Sequence, residues 1–219
     1  MKKTNQIIGG VSGIIEASLY IFGFVILFSI LQPTMDETKS GLDKLQFIIA
    51  HKTIYQTWIL LIYVVFGIVL VPLVVAIYEN FNDQTTIWTK ITPVFGFIWS
   101  GLVIASGMIA VIGIHSVATM NNVNANSALT SWQTIEAIQN GLGGGVEIIG
   151  GVWVFLISMI GIKQSVFNKF LNYLGLIVGS AGILTIIPGL KDVGAIFGLT
   201  QIVWFLWLGI VMINNGRKD

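Results

Sequence analysis

The chain has 219 residues, of which 55% are hydrophobic and only 10% are charged, and its formal net charge is +1. Soluble domains carry about a quarter charged residues, so much of this surface is expected to face lipid, and a balanced charge excludes nucleic acid as an expected partner. The sequence contains no cysteine, which excludes disulfides, thiolate metal sites and a cysteine nucleophile.

Six apolar segments follow one another along the chain. A membrane span needs about 20 apolar residues to cross a hydrocarbon core of about 30 Å. The segments at 7–31, 54–78, 92–114, 141–162, 170–189 and 194–213 meet this requirement. The first is too long for the apolar part of a signal peptide, so it is interpreted as an uncleaved span. The pattern predicts an all-α protein with one transmembrane domain, residues 1–219, and six helices in a bundle.

The basic residues predict the orientation of this bundle. Cytoplasmic loops carry an excess of Lys and Arg. With the N-terminus inside, the cytoplasmic side holds Lys2, Lys3, Lys90, Lys163, Lys169, Arg217 and Lys218, and the outer side holds Lys39, Lys44, Lys52 and Lys191. We therefore expect a multi-pass protein of the cytoplasmic membrane with both termini inside.

Two glutamates fall well inside predicted spans: Glu16 in span one and Glu147 in span four. An ionised carboxylate at mid-membrane costs about 2.5–3.5 kcal/mol and normally faces a bundle interior or a cavity. No span contains a Lys or Arg away from its ends. Each carboxyl is therefore expected to be protonated, hydrogen-bonded to groups such as Tyr20 or Gln201, or neutralised by a bound cation. These four residues are the candidate substrate- or ion-binding set.

Two histidines, His51 and His115, fall at the outer boundary, and Glu136 approaches the same side. Two histidines and a carboxylate can hold zinc with an open position for water, and two histidines can ligate a haem. No local motif supports either arrangement. The same region contains Thr130 to Asn140, which the pattern predicts as a short interfacial helix with its capping threonine at the start.

The stretch from Gly141 to Gly151, GLGGGVEIIGG, contains six glycines and one glutamate. Small residues let membrane helices approach closely, so Gly143 and Gly151 predict packing positions on the Glu147 face. Glycine also weakens a helix, so the run Gly141, Gly143, Gly144 and Gly145 predicts a helix start or break. We expect Glu147 to line an internal cavity open towards the outer side.

The two halves of the chain resemble each other weakly. Spans one and four both contain Gly-x-x-Glu, and spans two and five both carry a proline, Pro72 and Pro188. Three spans per half would give the halves opposite topology, which is a common plan of transporters. The spacing between these features differs in the two halves, so an inverted repeat stays an open alternative.

The segments GLGGGVEIIGGVWVFLISMIGIK, FLNYLGLIVGSAGILTIIPGL and FGLTQIVWFLWLGIVMI resemble a broad bacterial family of small six-helix membrane proteins, known only as a domain of unknown function. The resemblance covers most of 141–213 and, more loosely, the first span. It implies a six-span integral membrane protein and carries no activity, cofactor or site residue.

The leading functional hypothesis is a transporter or binder of a small cationic or proton-coupled solute. A non-transporting interaction subunit, docking a partner or a second copy through its glycine faces, is the first alternative. A membrane-embedded metal or haem enzyme that uses the outer histidines is the second. The sequence requires no cofactor, and it contains no G-x-S-x-G or nucleotide-binding motif, so an enzyme is the less favoured class.

Overall fold

The computed structural model describes residues 2–144, 147–187, 189–190 and 193–217, and the regular elements within them are all helical. The α-helices are α1 Lys2–Ser29, α2 Gly41–Ala50, α3 Lys52–Ile59, α4 Phe66–Tyr78, α5 Ile87–Asn121, α6 Ala125–Gln139, α7 Ile148–Gln164, α8 Lys169–Leu184 and α9 Val193–Arg217. The prediction of an all-α protein is confirmed.

Five helical stretches are long and apolar enough to cross a membrane: Lys3–Ser29, Lys52–Tyr78, Ile87–Asn121, Ala125–Gln164 and Val193–Arg217. The remaining predicted segment, 170–189, corresponds to α8, which is apolar but has only 16 residues. The chain is therefore an integral membrane protein with several spans, and the predicted count of six agrees with five long stretches and one shorter helix.

Two glycine seams hold the bundle together. Helix α1 packs along α9, where a Cβ on Gly10 would lie 2.6 Å from the carbonyl oxygen of Gly209. Helix α7 packs along α8, where a Cβ on Gly151 would lie 2.8 Å from the carbonyl oxygen of Gly179. Any larger residue would push the backbones apart, which is the packing that small residues permit in membranes.

A second apolar core lies at one end of the bundle, and we call it the cap. Its buried residues are Leu31, Leu45, Ile48, Tyr55, Ile59, Ala110, Ile114, Val117, Ala128 and Trp132. Helix α5 has 35 residues, and at about 1.5 Å per residue it is longer than the hydrocarbon core. We infer that its C-terminal turns extend beyond the core, where they pack against α6 and the short helices α2 and α3.

The prediction of a short interfacial helix from Thr130 to Asn140 was wrong in its start and in its surroundings. Helix α6 begins at Ala125, and its N-cap is Asn124, whose side chain accepts a hydrogen bond from the backbone of Ser127. The Thr130 hydroxyl donates to a carbonyl inside the helix instead. Trp132, which lies within the predicted interfacial helix, is only 2% exposed within the cap.

The opposite end of the bundle is joined by side-chain hydrogen bonds. Asn5 donates to Glu79 over 2.8 Å, and Asn80 donates to the side-chain oxygen of Gln6 over 2.7 Å. Gln6 in turn donates to the carbonyl of Ala76. These contacts tie the start of α1 to the end of α4.

Candidate functional site

The fourth span is interrupted about halfway along its length. Residues Asn140–Gly144 form a π-helical segment that contains Gly143 at φ 111°, and α7 begins only after Glu147. A positive φ of this kind is open to glycine and strained for other residues. Gly143 lies against Val103, close to the middle of α5. The span predicted to begin at 141 therefore begins at Ala125 and breaks at the glycine run.

The second span is irregular next to this break. Residues Leu60–Val65 form a π-helical segment between α3 and α4. Tyr63, within it, donates a hydrogen bond from its hydroxyl to the carbonyl of Gly144 over 3.3 Å. π-Helical turns are rare and often mark functional sites. Two distortions in neighbouring spans thus meet at one place.

A cavity of about 270 Å³ lies between α1, the π-helical segment of span two, α5 and the break. Its walls are Leu19, Tyr20, Gly23, Phe24, Leu27, Trp58, Ile62, Tyr63, Phe66, Trp99, Val103, Gly143, Gly144 and Glu147. Among the described residues, Glu147 is the one charged side chain of the lining. The cavity extends along α1 towards Leu27, and so towards the cap.

Glu147 is held by its backbone and not by its carboxylate. Its N–H donates to the hydroxyl of Thr185 over 2.8 Å, and that hydroxyl donates to the carbonyl of Gly182 over 2.7 Å. The side chain is half-buried, faces the cavity and makes no capping hydrogen bond to α7. Within the part of the chain that the structure describes, no donor bonds to its carboxylate.

Glu16 lies in the seam between α1 and α9 and is 0% exposed. Among the described residues, neither carboxylate oxygen of Glu16 has a hydrogen-bond partner, and the two side-chain polar atoms of Gln201, which is also 0% exposed, have none either. The predicted hydrogen bonds from Tyr20 or Gln201 to Glu16 are therefore not formed. The register of the two helices nevertheless places Glu16 and Gln201 in the same part of the seam, because Gly13 lies against Phe205 and Tyr20 lies near Gly198.

Tyr20 connects the two carboxyl groups in space. It is one helical turn beyond Glu16 on α1, so the two side chains share a face. Its ring lines the cavity together with Glu147. The ring also packs edge-on against Phe66, with centroids 5.5 Å apart. The candidate ion-binding residues Glu147, Tyr20 and Glu16 therefore follow one another from the cavity into the α1/α9 seam.

The outer histidines and Glu136 have different surroundings in the structure. His51 uses its Nδ1 for a 2.9 Å hydrogen bond with the carbonyl of Phe47, and its ring stacks on that phenylalanine. His115 is exposed on α5, and Glu136 is half-buried on α6. The described residues, which include these three, contain no group of three or more His, Asp or Glu side chains that could hold a metal ion.

The glycines of the 141–151 stretch have different environments. A Cβ on Gly141 would meet no atom within 4 Å, so this residue packs against nothing. Gly143 and Gly144 form the break, and Gly151 forms the α7/α8 seam. Gly145 lies outside the described residues.

Sequence reasoning missed the aromatic walls of the cavity and the π-helical segment of span two. The cavity rings are distributed over α1, span two and α5, and each one alone looks like an ordinary lipid-facing or core aromatic. The segment LLIYVV has the composition of any apolar span. Only the glycine run and Glu147 carried a local signal.

These features together define a polytopic helical membrane protein with an interrupted span beside an acidic cavity. The chain belongs to the family described as Domain of unknown function (DUF4386), which matches residues 8–216. The resemblance noted in the sequence is thereby confirmed. Comparison with curated proteins and with solved structures gave no match.

Proposed function

We propose that this membrane protein binds a small cation in the cavity and carries it across the bilayer, with Glu147 as the anionic group of the site. The observation that carries the proposal is the carboxylate of Glu147, which faces a cavity at a break in a span and accepts no hydrogen bond from any described residue. Transporters commonly place their sites near the midplane, where interrupted helices leave polar groups available.

Charge in the cavity favours a cation. Within the described residues, the lining contains no Lys or Arg that could pair with Glu147. An ionised carboxylate without a partner is costly at this depth, so Glu147 carries a proton when the site is empty. A bound cation stabilises the carboxylate and displaces that proton. The expected chemistry is exchange of a proton for a cation at one carboxyl group.

Glu16 is a neutral, fixed group in this scheme. It is fully buried, and among the described residues its carboxylate oxygens have no hydrogen-bond partner. The cost of an unpaired charge therefore keeps Glu16 protonated as well. Because a protonated carboxyl cannot accept another proton, the proton that Glu147 gives up leaves through the cavity to the solvent.

A carrier needs a site that is open at one side of the membrane and closed at the other, and the two ends of the bundle differ in this way. The cavity extends towards the cap, whereas hydrogen bonds of Asn5 and Gln6 join α1 to the end of α4 at the other side. With both termini cytoplasmic, this arrangement is open towards the outer side and closed towards the cytoplasm. Opening at the Asn5 end would complete an alternating-access cycle.

The interaction-subunit alternative has lost its main support. It depended on glycine faces that were free to dock a partner. The glycines on those faces, including Gly10 and Gly151, are covered by α9 and α8 of the same chain.

The test is proton release on cation binding. Purified protein in nanodiscs and weak buffer is titrated with Na⁺, K⁺ or tetramethylammonium while the pH is recorded, and binding is measured by calorimetry. We expect roughly one proton released per cation bound, because binding to a protonated ligand group must displace its proton. Glu147→Gln keeps the volume and removes the exchangeable carboxyl, so it should abolish the release.

The matched control is Glu37→Gln, which removes an exposed acid from a loop and should behave as wild type. Proton release that persists in Glu147→Gln contradicts the proposal. So does a wild-type protein that binds none of these cations.

A further inference from the structure

Six of the fourteen residues that line the cavity beside Glu147 are aromatic. They come from three separate parts of the bundle: α1, span two and α5. The six rings, which we call the aromatic cage, are Tyr20, Phe24, Trp58, Tyr63, Phe66 and Trp99. A ring face carries negative electrostatic potential and attracts a cation, most strongly where water is excluded. Several aromatic rings around one carboxylate are the combination of groups that recognises alkylammonium cations.

We infer that the cavity selects a small organic ammonium cation, with a quaternary or tertiary nitrogen, over inorganic cations. This inference rests on the proposed cation site at Glu147 and specifies its ligand class. The aromatic cage contacts the methyl or methylene groups that spread the positive charge, and Glu147 balances that charge.

The rings are fixed in position by contacts that do not involve a ligand. The indole N–H of Trp58 donates to the carbonyl of Gly23 over 3.0 Å, so one edge of this ring is anchored to α1. Phe66 packs edge-on against Tyr20 and against Trp99, with centroids 5.5 Å and 5.3 Å apart. Because the rings are ordered before binding, little conformational entropy is lost when a cation enters.

Two carbonyl oxygens of the described lining are already engaged, which disfavours an inorganic cation. Hard cations are held by about six oxygen ligands or by retained water. Among the described lining groups, the carbonyls of Gly23 and Gly144 already accept hydrogen bonds from Trp58 and Tyr63. A quaternary ammonium group needs no oxygen shell and no hydrogen-bond acceptor, so ring faces and one carboxylate satisfy it.

The volume limits the size of the ligand. Sites for drug-sized molecules span about 300–1,000 Å³, and the cavity measures about 270 Å³. Tetramethylammonium and choline are therefore suitable probes, whereas polycyclic cationic dyes are too large for the cavity in this conformation.

The experiment compares probes on the full chain in nanodiscs by calorimetry. The probes are choline, tetramethylammonium, Na⁺, K⁺ and the neutral isostere of choline in which carbon replaces nitrogen. We expect choline and tetramethylammonium to bind at least about tenfold more tightly than the isostere, because only the charged forms gain from the rings and Glu147. Equal binding of the isostere would overturn the inference, since the cavity would then be merely apolar.

Variants test the rings themselves. Phe24→Leu and Trp58→Leu should each weaken choline binding about tenfold, and Trp58→Phe should restore most of it because it keeps a ring face. Phe97→Leu is the matched control, since Phe97 is a 43% exposed aromatic of α5 that lies outside the cavity lining. Thermal unfolding identifies any variant that has lost its fold. A loss that is equally large in Phe97→Leu, or absent in both cage variants, contradicts the aromatic cage.

The two proposals fail in different ways. If Na⁺ or K⁺ binds as tightly as choline and the binding depends on Glu147, the ligand class is wrong and the cation site stands. If no cation binds, or if Glu147→Gln leaves choline binding unchanged, the proposed function fails as well.

Discussion

The α1/α9 seam and the cavity each contain one glutamate of a membrane span, but they surround it in opposite ways. In the seam, Gly10 and Gly209 bring two regular helices into backbone contact, and Glu16 is enclosed with 0% exposure. At the cavity, two spans leave regular α-helical geometry, and Glu147 faces open volume. Glycine serves both regions, as a close-packing residue in the first and as a helix breaker in the second.

The same Gly-x-x-Glu pattern therefore occurs in two different structures, a closely packed helix and a broken one. Both glutamates follow a glycine in a Gly-x-x-Glu pattern, yet α1 continues unbroken to Ser29 while the fourth span breaks before Glu147. The difference comes from what packs against the glycines. Where another backbone covers them, the helix persists, and where Gly141 and Gly143 lack such cover, it does not.

The largest expected effect comes from widening a seam. Gly151→Leu should prevent folding or destabilise the protein by more than the ~1–3 kcal/mol of ordinary overpacking. The reason is that the new Cβ would lie 2.6 Å from the backbone nitrogen of Ile183 and 2.8 Å from the carbonyl oxygen of Gly179. The measurement is chemical unfolding in detergent.

Gly101→Ala provides the control for this change. It lies within α5, and a Cβ there would meet no atom within 4 Å. Alanine should stabilise the helix by up to about 1 kcal/mol. A Gly151→Leu protein as stable as Gly101→Ala would mean that the α7/α8 seam is not as close as described.

A second change should separate the two glutamates by their effect on stability. Glu16→Leu should stabilise the fold by about 1–3 kcal/mol, because it removes a buried carboxyl without partners and keeps a similar volume. Glu147→Leu should give a smaller gain, since that carboxylate faces the cavity. Unfolding of the two variants in parallel measures the difference.

The same Glu16→Leu variant should still release about one proton per bound cation, because Glu16 is already protonated and Glu147 supplies the released proton. A destabilised Glu16→Leu would show instead that the carboxyl has a stabilising partner.

A third change acts on the break. Gly143→Ala should cost about 1–2 kcal/mol, because alanine is strained in the left-handed region, where Gly143 has φ 111°. Gly141→Ala, two residues away and without neighbours within 4 Å, is the matched control. Equal stability of the two variants, measured by thermal unfolding, would contradict the backbone conformation at the break.

The sequence predicted the helical class and the apolar segments well, because hydrophobic length depends only on composition along the chain. It predicted the ends of the helices less well. Span four was expected to begin at Gly141, since the polar residues of α6 concealed a helix that packs into the cap. Trp132 is the informative case, because its burial depends on Leu45 and Ala110, which are far away in sequence.

The candidate site was predictable only in part. Glu147 and Glu16 were found because a charge inside an apolar segment is unusual wherever its neighbours lie. Tyr63 and Trp99 could not be found in this way, since aromatic residues are ordinary in spans and only the packing brings their rings together. The metal or haem site at the outer histidines stays a prediction, because a shared boundary does not by itself bring side chains into contact. The inverted repeat stays a prediction, and Pro188 lies outside the described residues.

The smallest expected effect is a change in the pKa of acids in the loops, which we compare with the two glutamates inside the spans. Asp83 accepts hydrogen bonds from the hydroxyl and the N–H of Thr85, over 2.6 Å and 2.8 Å. These bonds, the hydroxyl first, hold the pKa of Asp83 below its usual value, and Lys163 adds a weaker attraction. Glu16 lies among groups that offer no such donor.

Because the pKa of Asp83 is lowered in the folded state, its contribution to stability is present above the unfolded-state pKa and is lost as the pH falls through the folded-state value. Thr85→Val removes the hydroxyl and keeps the N–H, so the pKa of Asp83 should rise towards normal without reaching it. Carboxyl NMR across an acid titration measures this shift. Thr38→Val should raise the pKa of Asp36 in the same way, since Thr38 donates to it with the same two groups. Unchanged titration in both variants would mean that nearby lysines, and not local donors, keep these loop acids ionised.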